Sequence, residues 1–265
     1  MKTIGFIGAG NMGAAMMQGA KKVFGDGILF TDISRNRMEE LQDQLGLPFV
    51  LSNQECVDQA SYVVLAIKPQ YYGEALEGIR PRKGQVFISI APGISISKVK
   101  ALLGGDVRVV RAMPNTPALL GEGMSAISFS EDPYQEEERD TVRRLFDSFG
   151  KTLTVPESQM DMVVPLSGSS PAYVYMLIEA MADAGVLTGM PRKDAYMLAA
   201  QSVVGAARMV LETGRHPGAL KDDVCSPGGT TIEAVKVLEA KGFRSAIIEA
   251  MEACWKKAKS FQSQD

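Results

Sequence analysis

The sequence predicts an α/β domain built on a parallel sheet, followed by an all-α domain. Three observations predict it. From Lys2 to about Val155, short β-rich runs alternate with helical stretches. Those runs are mostly continuously apolar instead of alternating, as expected of strands buried on both faces. After Val155-Pro156 no strand pattern recurs, and long helical stretches take over. The expected division is therefore residues 1–155 and residues 156–265. A chain of 265 residues accommodates one or two domains.

Strands are expected at residues 4–7, 28–31, 62–67, 86–91, 107–112 and 125–129. Between them, helices are expected at residues 11–24, 35–45, 53–59, 71–77, 97–103 and 133–149. Strand alternating with helix means βαβ units. The last helix opens on Glu136-Glu137-Glu138 and later carries Arg143-Arg144, an order that complements the helix dipole. It reads as a solvated helix and not as a binding patch. In the second half, helices are expected at residues 171–188, 191–213, 230–240 and 243–260. Pro171 and Pro191 open the first two, and Gly189, Gly214 and Gly242 close three of the four. The first two are apolar on nearly every face and rich in Ala and Gly. Such helices must be buried all round. About 110 residues of helix do not bury them alone, so a second copy across a two-fold axis is expected. Met176, Met181, Met197 and Met209 read as adaptable core and interface filler.

Composition narrows the function. Forty-six per cent hydrophobic and 22% charged residues exclude wholesale disorder. The net charge is −3, with Lys+Arg 28 against Asp+Glu 31, so the basic excess of a nucleic-acid binder is missing. Apolar runs such as residues 62–67 are far short of a membrane span. Met1-Lys2-Thr3 leads straight into a strand pattern, so no signal peptide is expected. Cys56, Cys225 and Cys254 are odd in number and widely spaced, which points to a reducing, cytoplasmic setting. With a single His, neither a His-rich metal site nor a His-centred triad is expected, and no metal ligand cluster stands out.

The first chemical motif is Gly8-Ala9-Gly10-Asn11-Met12-Gly13, a G-x-G-x-x-G directly after a strand and opening a helix. Gly8 permits the tight turn, Gly10 lets backbone approach a pyrophosphate, and Gly13 lets helix pack against strand. The helix N-terminus adds N–H groups and a positive dipole end. Asp32 ends the second strand about twenty residues on, completing a dinucleotide-binding pattern of Rossmann type. Asp32 favours NAD through the adenosine ribose hydroxyls. Ser34-Arg35-Asn36-Arg37 favours a 2′-phosphate. The balance leans to NADPH, with NADH as the alternative. Ala66-Ile67-Lys68-Pro69, Ala91-Pro92-Gly93 and Arg111-Ala112-Met113-Pro114-Asn115-Thr116-Pro117 end three further strands at the same carboxyl edge.

The second motif is Cys225-Ser226-Pro227-Gly228-Gly229-Thr230-Thr231, leading into a helix. Its backbone N–H groups and two hydroxyls suit a small anion such as a carboxylate. The competing reading is helix capping by Thr230 or Ser226. His216, followed by Pro217, reads as a structural turn, and Cys225 has no evident base. A nicotinamide edge and a carboxylate cradle with few acid–base groups suit hydride delivery to an activated electrophile such as a cyclic imine. A hydroxyacid dehydrogenase on the same plan would need a Lys or Asn base, and no convincing one is seen. A non-enzymatic dinucleotide-binding protein would not need the cradle.

Together with Ser167-Gly168-Ser169-Ser170-Pro171-Ala172-Tyr173, these blocks resemble the pyrroline-5-carboxylate reductase family essentially end to end. The resemblance implies reduction of 1-pyrroline-5-carboxylate to L-proline, the last step of proline biosynthesis, with NADPH or NADH. It implies a small-molecule substrate and a Rossmann domain followed by helical domains interlocked in a homodimer. In some members dimers assemble into a decamer. It further implies that Ile7, Gly8, Ala9, Gly10, Asn11 and Met12 hold the pyrophosphate, and that Ser34 and Arg35 approach the adenosine phosphate. Asn53 approaches the adenosine, and Ala66, Lys68, Pro69, Ala91, Pro92 and Gly93 border the nicotinamide ribose. Gly229 and Thr230 take the substrate carboxylate. Thr231 is implied as the catalytic and substrate-binding hydroxyl, with Glu157 near the substrate. Asp32-Ile33 before Ser34 departs from the family pattern.

Overall fold

The structure is a computed structural model that describes residues 2–104 and 106–260. The elements run β1 (Lys2–Ile7), α1 (Asn11–Phe24), β2 (Ile28–Thr31), α2 (Arg35–Leu45), α3 (Asn53–Gln59), β3 (Ala60–Leu65), α4 (Tyr72–Leu76), β4 (Val86–Ser89) and α5 (Ile96–Leu103). They continue as β5 (Arg108–Met113), β6 (Gly123–Phe129), α6 (Glu136–Asp147), β7 (Gly150–Thr154), α7 (Met160–Val163) and a π-helical turn Val164–Gly168. Then come α8 (Ser170–Leu187), α9 (Arg192–Thr213), α10 (Pro217–Val224), α11 (Thr230–Ala240) and α12 (Phe243–Ser260). By contact, residues up to Ser169 form one compact unit with those from Cys254 onward, and Ser170–Ala253 form another.

In the first unit the strand order is β2-β1-β3-β4-β5-β6-β7. β1 to β5 are parallel, as their continuous apolar runs predict. Successive residues alternate between the two faces. Phe6, Phe30 and Val64 join Met16, Met17, Phe146 and Phe149 on one side. Ile7, Leu29, Val63 and Leu65 join Val57, Tyr72, Phe87 and Val99 on the other. Each such burial contributes about 1.5–3 kcal/mol, so the sheet sits inside two apolar layers.

Two features correct the sequence reading. β6 runs antiparallel to β5, and β7 then runs parallel to β6. β7 was not expected, because Gly150-Lys151-Thr152-Leu153-Thr154 is a short edge strand with one exposed face and no continuous apolar run. The six predicted strands and six predicted helices of this half are present, with ends shifted by a few residues.

The second unit is helical throughout, as predicted, with one addition. α10 occupies a stretch read as a turn at Pro217, where Pro takes the first helical position. His216 caps it, its Nδ1 accepting from Gly218 N–H at 3.0 Å. Among the described residues of this unit, the buried side chains are Ala182, Ala195 and Ala199. α8 and α9 approach closely where a Cβ on Gly185 would stand 3.1 Å from that of Ala195. Met176, Leu187, Met197 and Leu211 stay exposed.

Candidate functional site

The chain leaves β1 toward β2 on one side and returns through β3 on the other. This reversal opens a crevice at the carboxyl ends of β1 and β3, where open α/β sheets bind ligands. A cavity of about 550 Å³ lies there. Gly8 turns the chain at φ +101°, and a Cβ on it would stand 2.4 Å from the Ala66 carbonyl oxygen. A Cβ on Gly13 would stand 2.5 Å from the Gly8 carbonyl oxygen. Gly10 instead faces open space, with nothing within 4 Å of an added Cβ. It is the N-cap of α1 and supplies no side-chain cap, and the first turn carries no acid. The first-turn amides are thus offered to an anion, and the glycine cradle fits a pyrophosphate.

Ile7, Gly8 and Asn53 line the cavity. Asn53 donates from Nδ2 to the Ala75 carbonyl at 3.0 Å, just after Ser52 caps α3. Besides Asp32, read from sequence as a ribose ligand, the cavity gathers residues not assigned from sequence, among them Thr31, Leu51, Tyr71 and Glu74. They come from strand ends and helix starts without a motif of their own. Ala9 is buried, Asn11 exposed and Met12 half-buried in the turn beside it. Ser34 caps α2 by accepting the Arg37 N–H. Arg35 is exposed, pairs with Glu39 at 3.0 Å and lies 5.8 Å from the Phe49 ring. Ala66 N–H donates to the Ile7 carbonyl at 2.8 Å, tying the two strand ends. Lys68 is exposed and Pro69 half-buried. Ala91 and Gly93 are buried with Pro92 between them, and Gly93 turns at φ +76°. The buried Tyr72 hydroxyl lies 2.8 Å from Ser89 Oγ and donates to the Leu65 carbonyl at 3.1 Å, so one phenol braces the ends of β3 and β4.

Glu157 belongs to this unit. Its Oε1 accepts the Ile96 N–H at 2.7 Å and lies 3.6 Å from Arg111. Arg111 is 4% exposed and pairs with Asp161 at 2.8 Å. A buried guanidinium needs such partners, since burying it unpaired would cost several kcal/mol. Arg111 was visible in a motif, whereas Asp161 carried no signal because its partner lies 50 residues away. Asn115 holds the neighbouring loop, donating to the Ser167 carbonyl at 3.0 Å and accepting the Met124 N–H at 2.8 Å. Ser167 sits in the π-helical turn, a distortion frequent at functional sites.

In the second unit Gly229 is the N-cap of α11, at φ −80° and ψ 171°, with no side-chain cap. Gly228 turns at φ +69°, and Gly229 N–H closes a turn onto the Ser226 carbonyl at 3.0 Å. Neither Thr230 nor Ser226 caps the helix. Thr230 is exposed and Thr231 half-buried. A separate cavity of about 400 Å³ is lined by α9 and α10 residues such as Met209, Leu220 and Val224, and not by Gly229, Thr230 or Thr231. Burial pushes the Cys56 thiol up to about 12, so it stays a neutral packing group. Among the described residues no cluster of three or more His, Cys, Asp or Glu is placed to hold a metal, and no helix is long and apolar enough to cross a membrane.

A glycine turn entering an uncapped helix at the switch point of a mostly parallel sheet, followed in the chain by a helical domain, defines a dinucleotide-binding protein of Rossmann type. The family described as NADP oxidoreductase, coenzyme F420-dependent, matches residues 3–93. Pyrroline-5-carboxylate reductase dimerisation matches residues 157–261. The pyrroline-5-carboxylate reductase of Escherichia coli (strain K12) is 48% identical over 262 residues, covering 97% of each chain. A 1-pyrroline-5-carboxylate reductase structure from Streptococcus pyogenes superposes with TM-score 0.89 at 36% identity, covering 97% of this chain and 98% of that one. A Plasmodium falciparum pyrroline carboxylate reductase with NADP bound gives TM-score 0.88 at 30% identity, covering 98% of both. The chain belongs to the pyrroline-5-carboxylate reductase family.

Proposed function

We propose that this chain reduces 1-pyrroline-5-carboxylate to L-proline, completing proline biosynthesis, with NADPH as reductant and NADH as the alternative. The observation that carries the reading is the uncapped start of α11. Gly228-Gly229 lead into Thr230 and Thr231 at a helix start with no side-chain cap, inside a region matching the family's dimerisation domain. The substrate's carboxylate is the anion such a start prefers.

The division of labour falls near residue 155. The first domain binds cofactor and the second, residues 156–265, binds substrate and pairs with a second copy. Ile7, Gly8, Ala9, Gly10, Asn11 and Met12 receive the pyrophosphate. Ser34 and Arg35 meet the adenosine 2′-phosphate, and Asn53 the adenosine. Ala66, Lys68, Pro69, Ala91, Pro92 and Gly93 border the nicotinamide ribose. When bound, the reduced nicotinamide supplies a hydride to the imine carbon. The Thr230 amide holds the carboxylate, Gly229 forms the turn that presents it with its own N–H tied to the Ser226 carbonyl, and the Thr231 hydroxyl orients the ring nitrogen or a water beside it for protonation. Glu157, anchored by Ile96 and Arg111 of the sheet unit, borders the substrate. An imine already activated by its C=N bond needs no strong base, in keeping with a chain that has one His, used as a helix cap.

The apolar helix faces support a homodimer with interlocked helical domains. Three free cysteines support a cytoplasmic setting. The test is loss of reduced-nicotinamide absorbance with 1-pyrroline-5-carboxylate, run with NADPH and NADH in parallel. Proline formation is expected, faster with NADPH. No turnover with either cofactor would sink the reading.

A further inference from the structure

The turn between β2 and α2 carries an acid and two arginines that read from sequence as rival ligands for the adenosine ribose. Two of the three are committed elsewhere. Ala9 sits between Gly8 and Gly10 and is wholly buried. Its N–H donates to Asp32 Oδ2 at 2.6 Å, and its carbonyl accepts from Arg37 Nε at 3.0 Å. Both main-chain groups of one residue are thus held by oppositely charged side chains from the neighbouring turn. The second Asp32 oxygen accepts the Ser34 N–H at 2.8 Å, which fixes the carboxylate's orientation. Arg37 Nη1 reaches Glu40 at 3.2 Å, leaving the guanidinium anchored on two sides. Arg35, by contrast, meets surface groups, Glu39 and the Phe49 ring.

The loop needs such anchoring. Gly8 N–H is tied to the Thr31 carbonyl at 2.9 Å, and the helical ladder starts with Ala14 N–H on Gly10 at 2.9 Å. Between those ties the chain runs Gly-Ala-Gly, and Gly10 has open space around it. Glycines flanking a single residue leave the backbone free to turn, and ordering it at the moment of binding would weaken affinity.

We propose that Asp32 and Arg37 are positioning residues that clamp Ala9 and preorganise the glycine turn, and that neither selects between NADH and NADPH. The proposal rests on the dinucleotide reading of the crevice. Charge-assisted bonds of this kind correspond to about tenfold each in an equilibrium constant.

The experiment uses the full chain and two variants, Asp32→Asn and Arg37→Lys. Titration calorimetry gives dissociation constants for NADPH and for NADH. Hydrogen exchange of the segment 4–13 is followed with no cofactor present. In Asp32→Asn both constants are expected to rise about tenfold together, their ratio staying within about twofold, with faster exchange at 4–13. Arg37→Lys keeps the charge but loses the Nε donor, and is expected to move in the same direction by less. Because Arg37 is half-exposed, this variant carries the test should Asp32→Asn fold poorly. A tenfold change in the cofactor ratio, a loss confined to NADPH in Arg37→Lys, or unchanged exchange at 4–13 overturns the clamp. A parent protein that binds neither cofactor overturns the dinucleotide reading itself, and the role of the clamp with it.

Discussion

The two halves of the molecule solve burial differently. The sheet unit closes its own core: Phe6, Phe30, Phe87, Phe146 and Phe149 are at most 1% exposed. In the unit spanning Ser170–Ala253, the buried side chains among the described residues are alanines, and large apolar groups face outward. Met176 is 69% exposed and Leu187 88%. Exposed apolar surface on that scale marks an interaction face. The sheet unit can therefore be understood from one chain, whereas the helical unit calls for a second one, as the family's dimerisation region implies. The contrast extends to chemistry. The first unit builds its crevice from backbone and glycine, and the second offers a helix start left uncapped.

The strongest attack on this contrast is Met176→Asp combined with Met197→Asp. On a free surface such changes shift stability by about 0.5 kcal/mol or less, whereas charge buried at an interface costs about 4 kcal/mol or more. Sedimentation should show dissociated protomers whose sheet unit still binds cofactor. Unchanged sedimentation would refute the interface assignment. Next is Gly8→Ala, where φ +101° and the 2.4 Å approach to Ala66 forbid a side chain. Cofactor affinity should fall about a hundredfold, roughly 3 kcal/mol, by titration calorimetry, with dimerisation retained. Thr231→Ala should lower kcat about thirtyfold, roughly 2 kcal/mol, and leave the cofactor dissociation constant unchanged. Equal kinetics would remove Thr231 from the mechanism. Smallest is Tyr72→Phe, which leaves Ser89 Oγ and the Leu65 carbonyl without their phenol. A loss of about 1 kcal/mol is expected in chemical denaturation, with a modest rise in cofactor KM.

Much of this was legible in the sequence. α1, α2, α3, α11 and α12 begin and end where capping residues and periodicity place them. Gly8, Gly10 and Gly13 occupy three distinct environments, a strained turn, open space and a tight approach, matching their three expected tasks. β7 was not legible, because an edge strand with polar residues lacks the apolar run that marks its neighbours. Nor was α10, where a proline that opens a helix looks the same as one in a turn. Asp32 and Arg37 were visible as residues, but their partner Ala9 lies 23 and 28 positions away.

The sequence by itself determined the two-domain plan, the glycine turn and the Gly-Gly-Thr-Thr start of α11, because these depend on local conformation and periodicity. Only the tertiary structure decided the reversal of β6, the burial of Arg111 against Asp161 and the commitment of Asp32 to Ala9. Each of those is a pairing of groups far apart along the chain. Local rules state what a side chain can do, and the fold states which partner reaches it first.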